Sequence, residues 1–69
     1  MDNTGKVYIL VGVGKHYCEN CGVAFNAEDA RAKLDAAQNS DYDGFAWFKM
    51  EIWDASGRIA VCLKPEQVL

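Results

Sequence analysis

A chain of 69 residues holds one small domain, and its 51% hydrophobic and 12% aromatic content is too apolar for intrinsic disorder. Seven Lys and Arg against ten Asp and Glu leave a net charge of -3 with no basic run, which argues against generic binding to a nucleic-acid phosphate backbone. The longest apolar stretch, Val7 to Val13, is too short to span a bilayer and lacks the basic flank and cleavage site of a signal peptide. Three cysteines, an odd number, fit a reducing compartment better than a secreted disulfide framework, so the expected location is cytoplasmic.

In chain order, Met1 to Gly5 reads as a flexible polar lead-in and Lys6 to Val13 as a strand rich in β-branched residues. Gly14, the polar run KHYCEN and Gly22 break periodicity, so the next twelve residues read as loop, with Val23 to Phe25 expected to tuck beneath the domain. Asn26 is placed to cap a helix, with Asp29 three residues on and Glu28 beside it at the positive end of the helix dipole. From Ala27 to Gln38 the apolar residues Ala27, Ala30, Leu34 and Ala37 form one helical stripe, small enough to lie close against a sheet.

Asn39 to Gly44 is a polar turn. Phe45 to Trp53 is a second strand, Asp54 to Arg58 a hairpin turn containing Gly57, and Ile59 to Leu63 a third strand ended by Lys64 and Pro65. The sequence therefore predicts a single α+β domain over residues 1–69: βαββ, a three-stranded sheet with one helix packed on one face. A right-handed crossover would make the first two strands parallel and the hairpin would make the third antiparallel. The third then lies either between the others, in the order 2-3-1 of half a ferredoxin-like unit, or outside them.

Alternation sorts the second strand into Ala46, Phe48, Met50 and Ile52, expected to face the helix, and Phe45, Trp47, Lys49, Glu51 and Trp53 on the other side. The third strand is expected to add Ile59, Val61 and Leu63 to the core and to leave Ala60, Cys62 and Lys64 on the open face. With one helix, that open face has no lid, and its aromatics mark a partner site or a homodimer seam; the competing reading is that they thicken the core. Bases can stack on sheet aromatics, but the cations that phosphates need are lacking, so direct nucleic-acid contact is not expected.

The stretch HYCENCG carries the one motif with metal chemistry. Cys18 and Cys21 have zinc-knuckle spacing, and His16 and Cys62 would have to complete a tetrahedron. A strand, then C-x2-C, then a helix also resembles the start of glutaredoxins and thioredoxins over residues 6–38. In those families the first cysteine opens the helix; here Asn26 does so, and Glu19 places a negative charge between the cysteines. The leading expectation is ordinary thiols in a turn, with no cofactor, and zinc held by His16, Cys18, Cys21 and Cys62 is the alternative. No other catalytic set is present, and GVGK lacks both the glycine spacing and the following helix of a phosphate loop.

The length, the acidity and the βαββ order around VYILVGV, NAEDARAKLDAAQ and FAWFKMEIWDASGRIAVCL give a profile similar to that of small phage and mobile-element proteins that disable host machinery, the anti-CRISPR proteins. The resemblance implies a non-enzymatic inhibitor in the cytoplasm of a bacterial host. It would occupy a basic or nucleic-acid-binding surface of a host protein or nucleoprotein complex, as a monomer or as a homodimer through the open sheet face, without membrane contact. Phe45, Trp47 and Trp53 would be its anchors, with Glu51, Asp54, Asp41 and Asp43 meeting cations at the rim. The alternative function is a zinc-stabilised adaptor or regulatory module built on the C-x2-C knuckle.

Overall fold

In the computed structural model, which describes residues 5–40 and 44–68, Val7–Val13 forms a strand, β1, that pairs on both sides. β2 (Cys18–Ala24) runs antiparallel along one side and β3 (Trp47–Asp54) antiparallel along the other, with β4 (Gly57–Cys62) outside β3. The sheet order is β2-β1-β3-β4. A helix, α1 (Ala27–Gln38), packs on one face, and a 3-10 turn (Pro65–Gln67) follows β4. The fold is α+β with one helix, as expected, but its sheet has four antiparallel strands where three were expected. The lead-in at residues 1–4 lies outside the described residues, as do Asp41 and Asp43.

The additional strand is β2, in the segment read as loop. Gly14 N donates to Tyr17 O at 2.7 Å, closing a tight turn that sends the chain back along β1. An edge strand with one exposed side tolerates Glu19 and Asn20, so the apolar alternation that marks a strand is diluted. Only Ala24 of the Val23 to Phe25 cluster turns inward; Phe25 is 66% exposed. Because β2 reverses the chain before α1, the parallel pair joined through the helix is β2 and β3, each antiparallel to β1 between them. The expected parallel pairing of the first strand with the Phe45 to Trp53 strand is thereby overturned, and the last strand takes the outer position.

α1 follows its local code. Asn26 Oδ1 accepts the Asp29 N–H at 2.8 Å, and Ala30, Leu34 and Ala37 are buried with Ala27 packed beside them. They meet Tyr8 and Leu10 of β1 and Phe48, Met50 and Ile52 of β3 in one cluster. Leu34, Met50 and Val68 are fully enclosed. Each such side chain contributes about 1.5–3 kcal/mol relative to exposure.

Val68 explains a reversal in β4. The chain turns back after Lys64, held by Gln67 Oε1, which accepts the Leu63 and Lys64 N–H groups, and by Arg31 Nη1, which donates to Val68 O at 2.9 Å. The core space beside β4 is thus filled from the C-terminal turn, and the strand offers it only small residues, Ala60 opposite Ile52 and Cys62 opposite Met50. Ile59, Val61 and Leu63, expected in the core, are exposed instead.

Leu34→Ala should therefore cost about 2–5 kcal/mol in urea unfolding. Val68→Asp should be at least as damaging, because it buries an unpaired charge, while Lys33→Ala on the exposed side of α1 should stay within about 0.5 kcal/mol of the parent. A silent Val68→Asp would show that the turn does not complete the core.

Candidate interaction surface

The residues of β1 that point away from α1 are Val7, Ile9, Val11 and Val13, and the register sets each opposite a β3 residue: Trp53, Glu51, Lys49 and Trp47 in turn. On the β2 side the same row meets Val23, Asn20 and Cys18; beyond β3, Arg58 stands opposite Trp53 and Val61 opposite Glu51. A bulge makes Ile59 an extra residue between Arg58 and Ala60, and it too is exposed. Among the described residues no element lies over this face. Trp47 is 47% and Trp53 37% exposed, with Val23, Ile59 and Val61 comparably bare. Scattered exposed apolar residues are ordinary, but a contiguous aromatic and aliphatic row on one sheet face is the composition of an interface.

Charge on this face is self-contained. Glu51 lies 3.0 Å from Lys49 Nζ and 3.2 Å from Arg58 Nη1, and its Oε1 accepts the Trp53 indole N–H at 3.0 Å. Burial by itself would raise the Glu51 pKa, but the hydrogen bonds from Lys49, Trp53 and Arg58 and the Lys49 charge outweigh it, so the carboxyl titrates below its ordinary range. Asp54 is engaged as well: its Oδ1 accepts Ser56 N at 2.8 Å and Ser56 Oγ at 2.6 Å, which lowers its pKa and shapes the turn into Gly57, whose φ is 119°. Of the four carboxylates expected to meet a partner's cations, Glu51 and Asp54 are therefore engaged by partners within the chain, and Asp41 and Asp43 lie outside the described residues.

Phe45 also departs from expectation. It precedes β3 and folds to the helix side, where its ring lies 5.5 Å from Phe48 and 5.8 Å from Tyr17, centroid to centroid. It covers Gly12: a Cβ there would stand 2.7 Å from the ring, and one on Gly14 would stand 2.7 Å from Tyr17. The glycines of GVGK thus make room for aromatic rings. Of the expected partner residues, Trp47, Trp53 and Glu51 share the open face, Phe45 caps the core, and Asp54 sits at the β3–β4 turn. The aliphatic row of β1 and the exposed side of β4 were missed, because only the hairpin register reveals which side of β4 faces out.

The expected metal ligands do not converge. Cys18 and Cys21 lie three residues apart on a strand that bulges at Cys21; Cys18 stands opposite Val13 on the open face and Cys21 beside Leu10 and Lys33 on the helix side, so they do not converge on one ion or a disulfide. Cys62 lies on the opposite edge strand, about 14 Å away across three strand spacings. It is buried on the helix side, where its Sγ–H donates to Gln67 O at 3.4 Å and burial pushes its pKa up. His16 is in the exposed β1–β2 turn, and among the described residues no three His, Cys, Asp or Glu side chains gather as a metal site. The cysteines expected in a turn are thiols of an edge strand.

Comparisons with protein-family models, curated proteins and solved structures found no match. No helix among the described residues is long and apolar enough to cross a membrane.

Two outcomes follow. Because Glu51 titrates below its ordinary value in the fold, its cluster stabilises fully above about pH 4.3 and loses its contribution as pH falls through the lowered value. Glu51→Gln should flatten that part of the acid limb in pH-dependent urea melts; an unchanged acid limb would show the cluster to be energetically idle. In the second, a strong chelator should leave tryptophan fluorescence and Tm unaltered, whereas a structural zinc would make the transition collapse.

Proposed function

We propose that this chain is a non-enzymatic binding protein that meets a protein partner through the open sheet face. The supporting observation is the exposure of Trp47 and Trp53 on a face that no described element covers. Tryptophans are the residues that most often dominate binding energy, and here they stand beside an aliphatic row with its charges already paired. The net charge of -3 is carried elsewhere, with Glu28, Asp29 and Asp35 exposed along α1. The net charge of the whole chain suits encounter with a basic partner through long-range attraction, while the tryptophans supply short-range affinity.

The class we favour is stoichiometric inhibition of the anti-CRISPR type, in the cytoplasm of a bacterial host, with a nucleic-acid-handling protein or complex as target. The small size, the acidity and the lopsided apolar face support that reading. The zinc-adaptor alternative draws no support from an arrangement that sets Cys62 and Cys18 on opposite edges of the sheet.

Pull-down from a bacterial lysate, followed by identification of the captured protein, tests the proposal. Trp47→Ala and Trp53→Ala should each weaken capture by at least about thirtyfold with little change in Tm, as expected for central interface aromatics. If both variants melt well below the parent, the rings are core; if both bind at parental strength, the contact surface lies elsewhere.

A further inference from the structure

The open face has a relief set by its strand register. β3 raises Trp47, Lys49, Glu51 and Trp53, all long side chains, and β1 beside it carries the shorter Val13, Val11, Ile9 and Val7, each directly opposite one of them. A tall row therefore runs alongside a shorter one about 4.8 Å away, filled at its centre, where Val11 is 8% exposed, and half-buried at Val7, Ile9 and Val13. We propose that a second copy of this chain covers the face, the two sheets packing face to face about a twofold axis that runs parallel to the strands between β1 and β3. The inference rests on the reading of this face as a contact surface and names its resident occupant, which an external partner would displace.

That axis preserves position along the strands and exchanges β1 with β3. Trp47 of one copy then sits over Val13 of the other, Trp53 over Val7, Lys49 over Val11 and Glu51 over Ile9, so the tall row of each copy faces the short row of the other. It also exchanges β2 with β4, which brings Val61, level with Ile9 through Glu51, onto Val23, which pairs with Ile9 directly. Both of those valines are exposed in the single chain. Sheets packed this way keep their strands within about 30° of each other, with a core about 10 Å thick.

Size and charge agree with this occupant. Four strands about 23 Å long and about 4.8 Å apart present a face of roughly 450 Å² in projection, and interdigitating side chains bury more accessible surface than that, toward the roughly 800 Å² that each partner contributes to a standard interface. Lys49 and Glu51, the charges nearest the seam, are already paired, and Arg58 joins them from the rim, so closure strands no lone ion. The acidic residues of α1 lie on the far side of each copy, which limits repulsion between two chains of charge -3. A chain this small, with a core on one face only, belongs to the class in which oligomerisation commonly supports the fold.

The test is sedimentation equilibrium across the micromolar range, with circular dichroism as the control for folding. The parent should approach twice its 7.6 kDa chain mass and dissociate on dilution. Trp47→Glu, and independently Val61→Glu at the rim should the first fail to fold, should each weaken self-association by at least about thirtyfold. Lys33→Glu on the helix side should leave it unchanged. A folded parent that stays at the single-chain mass throughout overturns the proposal, as does a dimer that survives both face substitutions. If the chain is monomeric yet Trp47→Ala still abolishes partner capture, self-covering is wrong while the proposed function stands. A dimer dispersed by Trp47→Glu, with capture indifferent to Trp47→Ala, upholds the self-covered face and overturns the partner reading.

Discussion

One helix lies against four strands, and most of the molecule's properties descend from that imbalance. α1 has 12 residues, spans about 18 Å and packs on β1, β2 and β3, so it covers part of one face and nothing more. The apolar core is accordingly one-sided, gathered around Leu34 and Met50. An alanine stripe lets the helix approach the sheet closely, but it leaves space beside β4 that α1 does not fill. Val68 returns from the C-terminal turn to occupy it. Without that return, Ala60 and Cys62 would be too small for the positions they hold.

The far end of the core is closed differently. Gly12 and Gly14 lack the side chains that would collide with Phe45 and Tyr17, and Tyr17 OH donates to Gly44 O at 3.0 Å, tying the β1–β2 turn to the approach to β3. The aromatic rings in and before β3 are thereby divided between two tasks. Phe45 and Phe48 seal the hydrophobic interior, and the two tryptophans of β3 remain outside it.

The outward face combines exposed tryptophans with ions that are already satisfied. Glu51 gathers Lys49, Arg58 and the Trp53 indole, which orients that ring and removes the penalty of bringing an unpaired charge into a dry contact. On the proposed contact surface, affinity would come from apolar and aromatic contact. In the proposed dimer, the tall row of β3 and the short row of β1 complement one another.

What the sequence by itself determined is local. Asn26 and the Ala27, Ala30, Leu34, Ala37 stripe specify the helix and its buried side, and the period of two in Phe48, Met50 and Ile52 against Trp47, Lys49, Glu51 and Trp53 specifies the two sides of β3; both patterns are written within a dozen neighbouring residues. Tertiary structure decided what depends on distant partners. The segment Cys18 to Ala24 becomes a strand because β1 offers a free edge, not because its own residues alternate strongly. β4 presents Ile59 and Val61 outward although they are its most apolar residues, since the hairpin register and Val68 together leave room inside only for Ala60 and Cys62. The cysteine pair has knuckle spacing in sequence, yet the strand turns its members to opposite faces, and three strand widths separate both from Cys62. Periodicity is local and can be read along the chain, whereas which edge is paired, which face is covered and which cavity remains to be filled are settled only when distant segments compete for the same space.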